Sequence, residues 1–307
     1  MSTCKGLSLM SGGLDSQLAV KVLQRAGAEV EGICFTTPFF SPVAAQKAAD
    51  ALGITLHVID FTDDEIALIE NPPHGFGGAM NPCIDCHATM IRRAGELMAA
   101  KGFDFVATGE VMGQRPMSQN RQALGVVMKS SGLEGRLVRP MSAKLLEPTI
   151  PELEGKLDRE KLLDIQGRCR DPQIRLAAEF GIVDYPSPAG GCKLTEEGFG
   201  RKLKDLLEHE GLRTRRLVEL LLVGRHFRLP DGTGLIVGRD KDENRLLAAE
   251  TAHGVFFDSG ALPGPGALLI GGAKSDADRA LAEKIVAAYT KGSGVTDRTF
   301  FKPYHVC

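Results

Sequence analysis

A short polar loop near the N-terminus carries the groups that a phosphate site needs. It comprises Ser11, Gly12, Gly13, Leu14, Asp15 and Ser16. An apolar run over residues 7–10 precedes the loop, and a helix-like run over residues 16–25 follows it. Unpaired N–H groups and the dipole of a helix N-terminus attract anions. Paired glycines let the backbone bend tightly against an anion, and the two serines add hydroxyl donors. The alternative is an ordinary turn that caps a helix.

Asp15 is the unusual member of this loop, because a carboxylate repels a phosphate unless a cation lies between them. We interpret Asp15 as a candidate Mg²⁺ ligand, since Mg²⁺ is commonly bound by one or two carboxylates together with substrate phosphates. The loop lacks the Lys-Ser/Thr pair that follows the glycines of a Walker loop. The sequence therefore predicts a phosphate site of a different kind.

Three cysteines have the surroundings of metal or redox ligands. Cys83 and Cys86 form a Cys-x-x-Cys pair at the start of a predicted helix over residues 86–101, where the helix dipole lowers thiol pKa values. Zinc, a redox pair and two ligands of an iron–sulfur cluster are all compatible with this pair. Cys192 ends a loop of prolines and paired glycines over residues 185–194 and is the natural third partner. The alternative is an inter-domain turn with an incidental cysteine.

A second polar block, residues 108–119, follows a predicted strand. Thr108 and Gly109 begin it, and its glycines suit a backbone that approaches a nucleotide. Gln114 is a neutral hydrogen-bonding group for base or ribose. Phe35 is a candidate wall of an adenine pocket, with core packing as the alternative. We interpret His74, in a Gly/Pro/Asn-rich loop over residues 66–82, as a solvated histidine rather than a catalytic one.

Alternating strands and helices must position these residues. Strands are predicted over residues 7–10, 30–36, 54–61 and 103–108, and helices over residues 16–25, 42–52, 86–101 and 156–180. Such alternation indicates an α/β fold with a parallel sheet covered by helices on both faces. Ligands of these sheets bind beyond the carboxyl ends of the strands. The polar loop and the second polar block are therefore expected to share one crevice.

Composition excludes several classes of protein. The 307 residues allow one large or two medium domains, and no apolar run is long enough for a membrane span. The start of the sequence lacks the features of a signal peptide, so a cytoplasmic location is expected. Seven cysteines in a reducing compartment favour metal binding or catalysis over a disulfide framework. A net charge of −2 gives no global signal for nucleic acid.

The loop over residues 11–16 resembles the PP-loop, SGGxDS, of the ATP pyrophosphatases. The block over residues 108–119 resembles the TGExxGQxxSQ element of the tRNA thiolation (ThiI/MnmA-like) branch, and residues 137–141 resemble the strand that follows it there. The resemblance spans roughly residues 7–195. It implies the Rossmann-like fold of the adenine nucleotide alpha hydrolases. It also implies ATP cleavage between the α- and β-phosphates.

The resemblance further implies an ATP-dependent sulfurtransferase that adenylates a uracil carbonyl of tRNA and replaces its oxygen with sulfur. Asp15, Cys83 and Cys192 would be catalytic. Residues that bind ATP and Mg²⁺ would be Ser11, Gly12, Gly13, Asp15, Ser16, Phe35, Thr108, Gly109 and Gln114. Cys83, Cys86 and Cys192 would bind a [4Fe-4S] cluster. In other branches the equivalent cysteines carry a persulfide and form a transient disulfide. The sulfur donor would be sulfide or a cysteine desulfurase relay, and a homodimer is compatible with the sequence.

The remainder, residues 196–307, is expected to form a small α+β domain that binds RNA or a partner. A helix is predicted over residues 201–222, in the one net-basic stretch. Its cations are Arg201, Lys202, Lys204, Arg213, Arg215, Arg216, Arg225 and Arg228, and they are either phosphate contacts or a charged helix face. Residues 238–244 and the Pro-Gly-Pro turn over residues 263–265 resemble the RNA-associated NFACT-R domain.

One departure from the family pattern bears on the substrate. ThiI-like enzymes bind tRNA through modules ahead of the PP-loop, whereas the loop begins here at residue 11. We therefore expect the C-terminal domain or a partner to replace them, or a substrate other than tRNA. The alternatives to a tRNA sulfurtransferase are a small-molecule ligase or amidotransferase, a cluster-dependent desulfidase and a zinc-stabilised nucleotide- or RNA-binding module.

Overall fold

The computed structural model describes residues 4–187, 192–212, 214–295 and 297–307. The chain divides into two compact units, Met1–Lys193 and Leu194–Cys307. Within the described ranges, no helix is both long and apolar enough to cross a lipid bilayer.

The N-terminal unit is built from alternating strands and helices. In chain order they are β1 (Cys4–Leu9), α1 (Leu14–Arg25), β2 (Ala28–Thr36), α2 (Val43–Leu52), β3 (Leu56–Asp60), α3 (Thr62–Glu70), α4 (Cys83–Lys101), β4 (Phe105–Ala107), α5 (Arg121–Ser131), β5 (Leu137–Val138), α6 (Ile150–Leu153) and α7 (Asp171–Phe180). The strands form one sheet in the order β3-β2-β1-β4-β5, and every pairing is parallel. The predicted α/β class and parallel sheet are thus confirmed.

The central strand β1 sets the position of the polar loop. Leu7 is fully buried, and β1 lies between β2 and β4, so both edges of the strand are hydrogen bonded. The loop follows at the carboxyl end of this strand, where ligands of parallel sheets bind. Apolar clusters pack on both faces of the sheet; one includes Leu18 and Val22 of α1, and the other includes Ile91 of α4.

Several predicted elements of this unit have other boundaries. The predicted helix over residues 156–180 is wrong in its first part, because only Asp171–Phe180 is α-helical. Gly167 has φ +87°, which interrupts a helix, and Pro172 stands in the first turn of α7, where its missing N–H costs nothing. The predicted loop over residues 66–82 begins later, since α3 continues to Glu70.

The C-terminal unit has its own sheet and core. Its elements are α8 (Glu197–His209), α9 (Arg215–Leu220), β6 (Arg225–Arg228), β7 (Gly234–Val237), α10 (Lys241–Ala248), β8 (Gly254–Phe257), β9 (Ala267–Ile270) and α11 (Asp276–Ala288). The strands form an antiparallel sheet in the order β6-β7-β9-β8. The predicted small α+β domain matches this architecture.

The predicted continuous helix over residues 201–222 is wrong, because α8 ends at His209 and α9 begins at Arg215. Gly211 lies between them with φ +69°, a conformation that a continuing helix does not allow. Arg213 of the basic stretch lies outside the described residues.

Basic side chains in this stretch are largely neutralised by carboxylates. Arg228 is half-buried and contacts Asp205 and Glu210, the latter at 2.6 Å. Arg216 contacts Glu219 at 2.6 Å and also reaches Glu250. These two arginines therefore stabilise the unit through ion pairs and are not available to bind phosphates.

Candidate nucleotide and sulfur site

The loop between β1 and α1 is held in a fixed shape by hydrogen bonds and close packing. Ser16 donates from Oγ to the carbonyl of Gly13 at 2.8 Å, and Gln17 donates from Nε2 to the carbonyl of Gly12 at 3.0 Å. Gly12 has φ +78°, and a Cβ there would lie 2.3 Å from the carbonyl carbon of Ala44. Gly13 is the N-cap of α1. The loop thus presents the free N–H groups of the first helical turn from a rigid backbone.

Gly109 packs directly against this loop. A Cβ at Gly109 would lie 2.7 Å from the carbonyl carbon and oxygen of Asp15 and from the amide nitrogen of Ser16. The absence of a side chain therefore allows the close approach of the loop over residues 11–16, and a nucleotide contact at Gly109 stays a prediction. Thr108, its buried neighbour, donates to Glu110 at 3.0 Å.

Asp15 belongs to a polar network that joins α1 to the second polar block and to the start of α7. Gln114 donates from Nε2 to Asp15 Oδ2 at 2.8 Å, and Gln173 donates from Nε2 to Gln114 Oε1 at 3.0 Å. Arg170 Nη2 lies 3.8 Å from the same Asp15 oxygen. Gln114, which is predicted to contact base or ribose, thus uses one amide N–H and its carbonyl oxygen within the protein. Its observed position orients the Asp15 carboxylate.

Three atoms of this network have unused hydrogen-bonding capacity. Asp15 Oδ1, Arg170 Nε and Gln173 Oε1 are buried and have no hydrogen-bond partner within the described ranges. Buried polar atoms without partners are unfavourable and rare in proteins. A carboxylate oxygen with an unfilled position fits a Mg²⁺ ion, and an arginine beside it fits a phosphate. The residues present therefore fit Mg²⁺ bound together with a phosphate chain.

The second polar block is anchored by a buried ion pair. Arg139 Nε contacts Glu110 Oε2 at 2.8 Å, and both side chains are almost fully buried. His87 Nδ1 lies 3.3 Å from the other Glu110 oxygen. Burial raises the pKa of Glu110, but the charges of Arg139 and His87 outweigh burial and lower this pKa to about 2. This ion pair therefore joins two segments of the predicted site, residues 108–119 and residues 137–141.

The cysteine pair lies in the first turn of α4. This helix begins at Cys83, three residues before the predicted start at residue 86, so both thiols belong to the helix. Burial raises the pKa of Cys86 well above its usual range, and the charges of Glu65, Cys192 and Cys83 raise it further. The three predicted cysteines are thus close enough to interact electrostatically. Gly190 and Gly191, predicted to let the backbone approach a bulky group, lie outside the described residues.

The donor chemistry of this cysteine site fits an iron–sulfur cluster, whose protein ligands are thiolates. Asn81 donates from Nδ2 to Cys83 Sγ at 3.1 Å, a contact that favours negative charge on sulfur. In the part of the chain that the structure describes, no three His, Cys, Asp or Glu side chains are arranged to hold a single metal ion.

Two acidic side chains beside the cysteines were not anticipated from the sequence. Asp85 is buried in the first turn of α4, and its Oδ1 lies 2.6 Å from Nδ1 of the exposed His74, which therefore has a carboxylate partner. Glu65 of α3 is fully buried. Burial raises the pKa of Glu65 to about 7, and the nearby Thr37 hydroxyl offsets only part of this effect.

Phe35 takes the core position rather than the pocket position. Its ring is buried and packs edge-to-face on Phe61 with ring centroids 5.4 Å apart. Ser11, by contrast, is exposed at the start of the loop.

Arg170 and Gln173 are the candidate site residues that the sequence analysis missed. Arg170 lies in a stretch where basic and acidic residues interleave, a pattern that is typical of a solvated face. The only local signal was Pro172, which marks the start of α7 and therefore places both residues at a helix N-terminus.

Two family models match the chain. The model described as thiamine biosynthesis protein (ThiI) matches residues 1–143, and the model described as NFACT protein RNA binding domain matches residues 224–299. The first contains the loop, the cysteine pair and the ion pair between Glu110 and Arg139. The second lies within the C-terminal unit.

Curated relatives are tRNA-modifying enzymes by name. The tRNA-specific 2-thiouridylase MnmA of Marinobacter nauticus is 26% identical over 293 residues, which cover 83% of this chain and 72% of that protein. A probable tRNA sulfurtransferase of Clostridium acetobutylicum is 32% identical over 150 residues, covering 44% of this chain. The match spans 35% of that relative's length.

Among solved structures, a 4-thiouridine synthetase in complex with RNA and ATP is similar, with 22% identity and a TM-score of 0.39. The similarity covers 58% of this chain and 50% of the synthetase chain.

Proposed function

The chain belongs to the tRNA thiolation branch of the PP-loop family, and from this premise we propose that it is an ATP-dependent tRNA sulfurtransferase. It adenylates a uracil carbonyl and replaces the oxygen with sulfur. The observation that carries this proposal is the unfilled polar network at Asp15. A carboxylate, an arginine and a helix N-terminus converge there on one point at the carboxyl end of β1.

The N-terminal unit binds ATP by its phosphates. N–H groups at the start of α1 and the Ser11 hydroxyl donate to phosphate oxygens. Asp15 would hold Mg²⁺, which neutralises charge on the phosphates and polarises them for attack. Gln114 fixes the direction of the Asp15 carboxylate, because it donates to Oδ2 and leaves Oδ1 for the ion.

Arg170 binds the leaving pyrophosphate. Its guanidinium lies 3.8 Å from Asp15 and has an unused buried Nε, so it is positioned beside the same ligand. Negative charge builds on the β- and γ-phosphates as the bond to the α-phosphate breaks. A fixed arginine stabilises that charge more strongly in the transition state than in the ground state.

The reaction balances in two steps. The uracil carbonyl oxygen attacks the α-phosphorus, the bond to the β-phosphate oxygen breaks, and pyrophosphate leaves. Hydrosulfide then attacks the adenylated ring carbon, and the carbon–oxygen bond breaks to release AMP with the former uracil oxygen. The hydrosulfide proton passes to pyrophosphate or solvent, and no net oxidation occurs. Adenylation is needed because oxygen alone is a poor leaving group.

Cys83, Cys86 and Cys192 hold the sulfur for the second step. These three thiolates would hold a [4Fe-4S] cluster, which would supply a binding position for sulfide. The electrostatic proximity of the three cysteines and the Asn81 contact to Cys83 support a shared site for sulfur. The alternative use of the same thiols is a persulfide on one cysteine, and metal analysis distinguishes the two.

The C-terminal unit contributes RNA binding. This proposal rests on the match of residues 224–299 to an RNA-binding domain family and gives the chain an RNA-binding module of its own.

The experiment that tests the function compares thionucleosides in RNA from cells with and without the protein. We expect one thiouridine derivative to disappear from tRNA on deletion. The wild-type gene should restore it, whereas a gene carrying Asp15→Asn should not. An unchanged thionucleoside profile would overturn the proposal.

A second experiment tests the cysteine assignment. The protein is purified without oxygen, and iron, sulfide and zinc are quantified. Cys192→Ala should lose the iron, whereas Cys169→Ala, an exposed cysteine, should retain it. Stoichiometric zinc without iron would contradict the cluster, and equal iron in both variants would contradict the chosen cysteines.

A further inference from the structure

We propose that a cationic pocket in the C-terminal unit binds the phosphodiester backbone of RNA without reading its bases. The pocket lies between the start of α10, the Pro-Gly-Pro turn over residues 263–265 and the end of α11, and its volume is about 330 Å³. The inference rests on RNA being the substrate of the proposed function. It adds the surface and the mode of recognition.

Five basic side chains line this pocket: Arg225, Arg239, Lys241, Lys291 and Arg298. Arg239 is paired with Glu243. For the other four, no carboxylate lies within ion-pair distance among the described residues. The single acidic side chain of the lining, Asp240, accepts hydrogen bonds from the backbone N–H groups of Asp242 and Glu243, both at 3.0 Å, and thus caps α10. The pocket therefore holds a strong excess of positive charge.

The two arginines on one side are held in place before any ligand binds. The Arg225 and Arg298 guanidinium carbons lie 4.7 and 4.4 Å from the centre of the Tyr289 ring. Arg298 also donates from Nε to the carbonyl of Ala288 at 2.9 Å. Such contacts fix the orientation of the arginine side chains and lower the entropy that is lost when a phosphate binds.

The Tyr289 ring contacts arginine side chains of the protein and is not available to stack on a base. Single-stranded RNA modules commonly stack bases on exposed aromatic rings. In this pocket Tyr289 is the one aromatic lining residue within the described ranges, and two guanidinium groups already lie over it. Phosphate contacts position a nucleic acid without reading its sequence. The pocket is thus suited to the backbone of many RNA sequences.

The floor of the pocket joins the two segments that resemble the NFACT-R domain. Asn244 accepts a hydrogen bond at Oδ1 from the Gly266 amide at 2.9 Å, which ties α10 to the Pro-Gly-Pro turn. Gly264 in that turn has no room for a side chain, because a Cβ would lie 2.4 Å from Thr290 Oγ1. These contacts hold the two segments against each other and fix the backbone that carries the cationic lining.

The test measures binding of the full-length protein to an unmodified tRNA transcript by fluorescence anisotropy at several salt concentrations. The variant Lys241→Ala/Lys291→Ala removes two lysines whose side chains make no ion pair within the described ranges. Lys284→Ala is the matched control, because it removes an exposed lysine of α11 that does not line the pocket.

We expect the double variant to bind the transcript more weakly and to show a log-log salt slope smaller by about 2, so that the affinity lost between about 0.05 and 0.2 M salt shrinks by about 16-fold. Lys284→Ala should keep the wild-type slope. Transcripts of unrelated sequence should bind the wild-type protein with similar affinity.

Three results would overturn the inference. They are an unchanged slope in the double variant, an equal change in Lys284→Ala, and binding of an acidic protein such as polyglutamate in preference to RNA. None depends on thiolation, so failure of the pocket and failure of the proposed reaction are distinguishable. Loss of RNA binding leaves ATP binding at Asp15 measurable, and loss of thiolation leaves the salt dependence measurable.

Discussion

Asp15 is recognisable in the sequence as a candidate site residue, but its partners Arg170 and Gln173 are not. The local pattern of serines, glycines and a carboxylate predicted a phosphate site, because the loop and the start of α1 are contiguous in the chain. Arg170 and Gln173 reach the same point from α7, more than a hundred residues later. Only the packing of α7 beside α1 brings them there, and no spacing in the sequence reports that packing.

Gly109 was predicted to allow a nucleotide contact, and the structure adds a second reason for a glycine at this position. We predict that Gly109→Ala distorts the loop, because its Cβ would lie 2.7 Å from backbone atoms of Asp15 and Ser16. Overpacking of this kind costs about 1–3 kcal/mol. Thermal denaturation and ATP binding measure the two effects, and both should be weakened.

Gly125 provides the control for this substitution. It lies within α5, and a Cβ there would meet nothing within 4 Å. Gly125→Ala should raise the free energy of unfolding by about 0.5–1 kcal/mol through helix propensity. Equal behaviour of the two alanine variants would contradict the close contact at Gly109.

The sequence predicted the regularly alternating strands and helices correctly, but it did not predict the irregular segments between them. Strands β1 to β4 lie close to the predicted strands because apolar runs bounded by turn residues specify them. The segment before α7 was predicted as helix because leucines recur there at helical spacing, and its Gly167 turn was overlooked. The start of α4 was placed too late, because Pro82, the N-cap of this helix, was assigned to the preceding Gly/Pro/Asn-rich loop.

The ion pair between Glu110 and Arg139 joins the loop after β4 to the end of β5. We predict that Arg139→Met lowers the free energy of unfolding by about 3–5 kcal/mol, because it leaves a buried carboxylate without its cation. The double variant Glu110→Leu/Arg139→Met should lose less than the sum of the two single variants. Urea denaturation measures all three.

The exposed pair Arg92–Glu96 of α4 is the reference for this experiment, with Nη1 and Oε1 3.2 Å apart. Exposed pairs at this spacing contribute about 0.3–0.5 kcal/mol, so Arg92→Met should have a small effect. Additive losses for Glu110 and Arg139 would show that the two side chains act independently and would contradict the coupling.

The whole molecule consists of two units, each with a sheet and an apolar core of its own. The change from long alternating elements to short strands and turns near residue 195 carried this information in the sequence. The topology of the second sheet, β6-β7-β9-β8, was not predictable, because short antiparallel strands of similar composition pair in many orders. The cationic pocket depends on that order, so its existence could not be read from the sequence.

The C-terminal unit should lose stability in mild acid. Burial lowers the pKa of His226 from 6.5 to about 3, so its folded-state pKa is depressed. The folded unit holds the imidazole neutral, whereas the unfolded chain protonates it below about pH 6.5. The contribution of the neutral His226 to the free energy of unfolding is therefore complete above about pH 6.5. It is lost as the pH falls toward the folded-state pKa.

We predict that His226 alone lowers the free energy of unfolding by about 2 kcal/mol between about pH 7.5 and pH 5. Denaturant unfolding at the two pH values, for wild type and His226→Phe, isolates this contribution. The variant should be less sensitive to acid by that amount. The same pH dependence in both proteins would show that His226 is not the cause.

The central claim is that one protein couples ATP cleavage at Asp15 to thiolation of tRNA. The most direct measurement incubates anaerobically purified protein with ATP, Mg²⁺, sulfide and an unmodified tRNA transcript, and quantifies AMP, pyrophosphate and thiouridine together. We predict equal amounts of the three products. Asp15→Asn should lower all three by about 100-fold or more, since it removes the charge that holds the ion. Thiouridine formed without ATP, or AMP and pyrophosphate formed without thiouridine, would contradict the account.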